Sequence, residues 1–160
     1  MINLNVGLGE IKIAKKTACS IVAPGLGSCI GLLMYDKAND IAGMAHVVLP
    51  ETKDLKFPNP GKYANTGVEA LLNQLIEQGS NRNNLKIYIA GGAQMFSFEK
   101  GSNILNVGTR NILAVKTELT RLNLRLVNTH TGGNKGRTFK IDLPEGKITV
   151  KCIGEEQIIL

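Results

Sequence analysis

Tryptophan is absent from this sequence, and aromatic residues of all kinds make up only 4% of it. So few rings leave little on which unpaired bases could stack, and no recognisable RNA- or DNA-reading module is present. No apolar run approaches the roughly 20 residues of a membrane-spanning helix. The opening Met-Ile-Asn-Leu-Asn-Val-Gly lacks the charged start and apolar core of a signal peptide. A cytoplasmic setting without membrane insertion is expected. Cysteine is sparse as well: Cys19, Cys29 and Cys152 are odd in number, form no paired framework and fit a reducing compartment. Neither C-x-x-C nor H-x-x-x-H spacing accompanies them, so no metal site and no cofactor is expected.

What is present is ordinary in bulk. With 160 residues, 43% hydrophobic and 20% charged, the chain suits one domain spanning 1–160 with a sizeable core. Its net charge of +6 is unevenly placed. Between Lys100 and Lys151 ten basic residues face three acids, Glu118, Asp142 and Glu145, whereas the remainder is close to neutral. Such a half reads most simply as a solvated basic face; it also suits an acidic protein partner, and nucleic acid ranks a distant last.

Short apolar runs bounded by turn residues dominate the chain. Residues 9–17 partly alternate, as an opening strand does. Ile30 to Tyr35 and Ile41 to Leu49, joined by the polar Asp36-Lys-Ala-Asn-Asp40, predict an antiparallel hairpin. Residues 51–65, with Pro58 and Pro60, predict a surface loop. Thr66-Gly67-Val68-Glu69 fits a helix capping box, and Val68, Leu71, Leu72, Leu75 and Ile76 then follow on one face until Gly79. A second helix is expected from Gly108 to Leu122, with Ile112, Val115, Leu119 and Leu122 inward. Strands are expected over Leu85–Ala90 and Leu124–Thr129, and a hairpin over Thr138–Leu143 and Lys147–Ile153. Many strands in hairpin-like succession with two main helices indicate an α+β fold of mostly antiparallel or mixed sheets.

The stretch Ala23-Pro24-Gly25-Leu26-Gly27-Ser28-Cys29 sets a thiol at a glycine-rich turn between two apolar runs. Gly25 and Gly27 allow a tight turn that exposes backbone N–H groups, and such a nest stabilises negative charge. A thiolate beside such donors is the equipment of acyl transfer, with Gly27 and Ser28 as candidate oxyanion or turn support. Taken alone, Cys29 fits a small buried hydrophobe better. His46 is also ambiguous: mid-strand, it reads as a satisfied core histidine or as the base that takes the thiol proton. His130 reads as an exposed residue of a polar turn. Gly91-Gly92-Ala93 ends a strand where the backbone must approach either its own core or a substrate.

Several motifs in order bear a resemblance. Gly25-Leu-Gly-Ser-Cys29, Ala45-His-Val-Val-Leu-Pro50, Lys62-Tyr-Ala64, Gly91-Gly-Ala-Gln-Met-Phe96, Gly108-Thr-Arg-Asn111 and Thr131-Gly-Gly-Asn134 together resemble the CheD family of chemoreceptor glutamine deamidases. The resemblance runs from about Val6 to Ile153. It implies a cysteine-hydrolase fold related to deamidating toxins, Cys29 as nucleophile and His46 as base. The implied reaction converts glutamines of chemoreceptor cytoplasmic domains to glutamate through a thioester, in the service of chemotaxis. It also implies a second partner, a CheC-type phosphatase, with Phe96 a candidate for its binding surface.

Two positions depart from the family pattern. The threonine expected six residues before the cysteine, whose hydroxyl orients the histidine, is here Ala23. Loss of the orienting member of a triad can cost about four powers of ten in turnover. Ser20, Thr17 or a main-chain carbonyl could stand in; otherwise the chain would act as an interaction module for a receptor or a CheC-type phosphatase. His130 occupies a place where many relatives carry an acid.

Overall fold

A computed structural model describes residues 2–95 and 106–160. Its strands are β1 (Ile2–Asn5), β2 (Ile11–Lys15), β3 (Cys19–Leu26), β4 (Ile30–Asp36), β5 (Ile41–Val47), β6 (Lys86–Gly91), β7 (Leu126–Thr131), β8 (Arg137–Leu143), β9 (Lys147–Cys152) and β10 (Ile158–Ile159). Two helices, α1 (Ala64–Glu77) and α2 (Val107–Arg121), complete the main elements. The strands form two five-stranded sheets, ordered β1-β3-β8-β9-β10 and β2-β5-β4-β6-β7. Each sheet has one parallel pair, β1 with β3 and β6 with β7, and is otherwise antiparallel. The expected α+β architecture with two main helices is what forms.

Every residue of β4 is buried because the strand is central and covered on both faces. Side chains alternate along it. Leu33 and Tyr35, with Met44 of β5, pack against Ile21, Phe139 and Ile141 of the other sheet. Ile30, Leu32 and Met34 point the opposite way, against Val68, Leu71 and Leu75 of α1 and Val115 and Leu119 of α2. The result is three layers: sheet, sheet and helices. The predicted 30–49 hairpin is the β4–β5 pair, and the predicted closing hairpin is β8–β9.

Local corrections concern α1. The helix starts at Ala64, ahead of the expected cap, and Tyr63 occupies the N-cap position without a side-chain cap. Thr66 instead donates its hydroxyl to the carbonyl of Pro60 at 2.6 Å, tying the helix to the turn before it. Ile76, expected inward, is 44% exposed, since the buried stripe ends at Leu75. α2 opens with a true cap, the Asn106 side chain accepting from the Thr109 N–H at 2.8 Å. Among the described residues, no helix is long and apolar enough to cross a membrane.

Candidate active site

β3 leaves regular pairing with β8 between Ala23 and Leu26, where the register shifts. Gly25 takes a left-handed φ of +63° there, a conformation that most side chains resist. The chain then turns through Gly27, Ser28 and Cys29 before β4 begins at Ile30. In the β4–β5 ladder Gly31 lies directly opposite His46. Cys29, two residues before Gly31, is on the same face and diagonal to His46. Diagonal neighbours lie roughly 7–8 Å apart at Cα, within reach of long side chains. Gly31 puts no side chain between them.

His46 is 3% exposed and closely held. Its N–H donates to the Glu10 carbonyl at 3.0 Å and its carbonyl accepts from the Gly9 N–H at 2.9 Å. Its Nδ1 lies 2.9 Å from the Val6 carbonyl oxygen. A carbonyl only accepts, so Nδ1 carries the proton and Nε2 presents its lone pair. Nε2 is buried and has no hydrogen-bond partner among the described residues. Such a nitrogen can take a proton. Burial pushes the half-buried Cys29 thiol above its ordinary pKa, so a thiolate here needs an acceptor for its proton.

The turn around Cys29 is clamped from β6. The Gly92 N–H donates to the Cys29 carbonyl at 2.9 Å, and the Ala93 N–H to the Gly27 carbonyl at 2.8 Å. Gly91 has φ of +116°, and a Cβ there would sit 2.1 Å from the Cys29 carbonyl oxygen. The close approach foreseen for this glycine run is therefore to the cysteine's own backbone. Among the described residues, the N–H groups of Ser28 and Cys29 have no acceptor. Free donors beside a thiol can hold a developing oxyanion. Met95 leans over the turn, its Cγ 3.1 Å from where a Gly27 Cβ would stand.

A family model described as CheD chemotactic sensory transduction matches residues 48–152. A relative from Bacillus licheniformis named chemoreceptor glutamine deamidase CheD is 41% identical over 152 residues, 94% of this chain and 90% of its own length. This chain belongs to the CheD family. Two proteins named probable chemoreceptor glutamine deamidase CheD are similar to nearly the same extent. The one from Caldanaerobacter subterraneus is 39% identical, covering 94% of this chain and 93% of the relative. The one from Clostridium tetani is 38% identical, covering 93% and 90%.

Within this CheD fold, Ala23 is fully buried at the β3 bulge and offers no hydroxyl. Neither side chain considered as its substitute is available. Ser20 donates to Asp142 on the neighbouring strand, and Thr17 donates to the Lys15 carbonyl at 2.9 Å. The Val6 carbonyl is what meets the histidine. Phe96 lies outside the described residues. His130 is not in a turn: it belongs to β7, half-buried, with Nδ1 3.0 Å from Nη1 of Arg137. Guanidinium only donates, so His130 Nδ1 accepts. Arg137, 4% exposed, also donates to the carbonyls of His130, Gly132 and Lys135, bracing the β7–β8 loop. A cavity of about 240 Å³ opens beside it, lined by His130, Arg137, Cys152 and Glu155 among others. A larger groove of about 480 Å³ lies between α1, α2 and the 51–60 loop, and neither Cys29 nor His46 lines it.

Asn111 enters the sequence reading only as part of a motif, with no role and no place on the buried face of α2, yet it is fully buried there, in line with Val115 and Leu119. A polar residue four and eight places ahead of two apolar ones on a helix stripe is the available signal.

Proposed function

We propose that this CheD-family chain is a protein-glutamine deamidase acting on glutamines of methyl-accepting chemoreceptors, with Cys29 as nucleophile and His46 as base. The single observation that carries the assignment is the state of His46. Its Nδ1–H is held by the Val6 carbonyl, which leaves an unpartnered Nε2 on the Cys29 face of the hairpin.

His46 Nε2 takes the Cys29 proton as the sulfur attacks the amide carbon of the glutamine side chain. The new C–S bond turns the carbonyl oxygen into an oxyanion, which the free N–H groups of Ser28 and Cys29 receive. The imidazolium then gives its proton to the amide nitrogen, the C–N bond breaks and ammonia leaves a thioester. Water, relieved of a proton by Nε2, attacks the thioester carbon. The C–S bond breaks, glutamate is released, and the thiolate recovers its proton from His46. No redox partner enters. The raised thiol pKa fits proton transfer coupled to attack better than a standing thiolate.

One domain over 1–160, a cytoplasmic setting and a CheC-type phosphatase as second partner belong to the same proposal. They are supported by the family membership alone. The interaction-module alternative rested on Ala23, and the Val6 carbonyl supplies the contact that Ala23 lacks.

The decisive experiment is mass spectrometry of a chemoreceptor cytoplasmic fragment after incubation with the protein. Glutamine-to-glutamate conversion is expected with the natural chain and none with Cys29→Ala. Conversion that persists in Cys29→Ala, or a natural chain that binds the fragment without converting it, would overturn the assignment.

A further inference from the structure

We infer that Asn111 is a positioning residue that aims the Cys29 N–H into the oxyanion site. Its Nδ2 donates to two main-chain carbonyls, Ser28 and Val48, each at 2.9 Å. Both acceptors are carbonyls, so the orientation of the amide is fixed: nitrogen toward them, Oδ1 away. Oδ1 is buried without a partner among the described residues. An apolar side chain would continue the stripe of Val115 and Leu119 and spare the orphaned Oδ1, but it would leave the Ser28 and Val48 carbonyls without their donor. The two donated bonds are therefore what sets asparagine apart at this place.

Those bonds replace a ladder that has stopped. The β4–β5 pairing ends at Ile30 and Val47. Extending the register would set Ser28 opposite Leu49. Instead Val48 and Leu49 both turn their N–H groups to the Lys62 carbonyl, at 2.9 and 3.0 Å, and the Leu49 carbonyl accepts from Ala64 at 3.0 Å. The Ser28 carbonyl has lost its strand partner, and Asn111 takes its place. One side chain thus ties the residue before the thiol to the residue two beyond His46.

The consequence follows from the geometry of the peptide bond. In a planar trans peptide the C=O of Ser28 and the N–H of Cys29 point in opposite directions. Pinning the carbonyl toward α2 fixes the N–H away from it. The Gly92 N–H pins the next carbonyl, that of Cys29, so the peptides on either side of the nucleophile are both held. Preorganised donors of this kind act in the transition state rather than in substrate binding.

The inference rests on the deamidase assignment, and the test separates the two. Asn111→Leu fills the space and extends the apolar stripe; Asn111→Asp keeps the shape but sets a carboxylate against two carbonyls. Both would be purified, checked for wild-type-like circular dichroism, and assayed on the receptor fragment. Expected is a fall in kcat of about 100-fold for Asn111→Leu with KM nearly unchanged. Alkylation of Cys29 by iodoacetamide forms no oxyanion, so its rate and pH profile should stay within about threefold of wild type while turnover collapses. A folded Asn111→Leu with wild-type kcat, or one whose alkylation falls in step with its turnover, would overturn the positioning role. A wild-type chain that converts no glutamine would overturn the deamidase assignment instead.

Discussion

At the residue scale the question is how His46 is held without a threonine at position 23. β1 runs parallel to β3, with Asn5 beside Val22, and the Val6 N–H donates to the Val22 carbonyl at 2.8 Å. The next polar group along, the Val6 carbonyl, accepts from His46 Nδ1. Glu10 closes the following turn by accepting the Gly7 N–H at 3.1 Å, and the same turn holds both backbone groups of His46. Restoring the family residue should therefore do little for turnover, because the proton on Nδ1 already has its acceptor. It should cost stability. Ala23 is fully buried, its Cβ only 3.7 Å from where a Gly31 side chain would begin, and Phe139 stands opposite it on β8. Two extra heavy atoms in so packed a site cost roughly 1–3 kcal/mol. Ala23→Thr is expected to melt at lower temperature and to turn over within about tenfold of the natural chain, where a missing triad member would change the rate by about 10⁴. A gain of that larger size, measured on the receptor fragment, would sink the role given to Val6.

At the scale of elements, β4 joins the candidate site to the opposite end of the molecule. Cys29 precedes the strand and Asp36 ends it, about 23 Å apart at 3.3 Å per residue. Asp36 is fully buried and accepts from the Asn39 N–H at 3.1 Å, from Asn39 Nδ2 at 2.8 Å and from the Asn81 N–H at 2.8 Å. It thereby fastens the β4–β5 turn to the segment between α1 and β6. Asp36→Ala leaves those donors without their acceptor, at a cost of roughly 2–3 kcal/mol. The melting temperature should fall by about 4–12 °C while turnover per folded molecule holds. An unchanged melting curve would mean that the turn stands without this anchor. The same elements mark what could be foreseen. The hairpins and both helices announce themselves because their periodicity is local: Ile30–Tyr35, Val68–Leu75 and Val115–Leu119 repeat at the spacing of the structure they form. Cys29 and His46 stand out as candidates because their side chains are distinctive. Val6 does not, since any residue there carries the same carbonyl. β1 and β10 escape a local reading for a related reason: at four and two residues they are too short to show a period, and β1 takes its register from β3, a strand it does not adjoin in sequence. The Thr66–Glu69 pattern misled because a capping sequence can also arise inside a helix whose threonine prefers an earlier carbonyl.

At the scale of the whole molecule, the surplus positive charge and the buried titrating groups set how the fold responds to solvent. The basic half is partly spent internally. Arg121 pairs with Glu118 and Glu69, Lys135 with Glu155 and Lys140 with Asp142, while Arg137 is buried among carbonyls. The solvent-exposed pairs among them, Arg121–Glu69 and Lys135–Glu155, add little to stability. Buried groups matter more. Burial raises the Asp36 carboxyl, but its hydrogen bonds from Asn39, Asn81 and Asn84 outweigh that and hold it below the ordinary value. Its contribution is present above the unfolded carboxyl pKa and is lost as pH falls through the folded one. Burial raises Cys19, Cys29, Tyr35 and Tyr88, with nearby carboxylates adding to the shift at Cys19 and Tyr35. For these the sign reverses: stability is complete below the unfolded pKa and is lost as pH rises through the folded pKa. The melting temperature should therefore decline once pH passes about 8.5, where free thiols begin to ionise. Cys29→Ala removes one of the four raised groups, so its alkaline decline should be shallower than that of the natural chain, whatever its starting stability. Melting curves of the two proteins across the alkaline range decide the matter: parallel declines would mean that Cys29 titrates in the folded chain as it does in the unfolded one, and its thiol would then need no help from His46 to ionise.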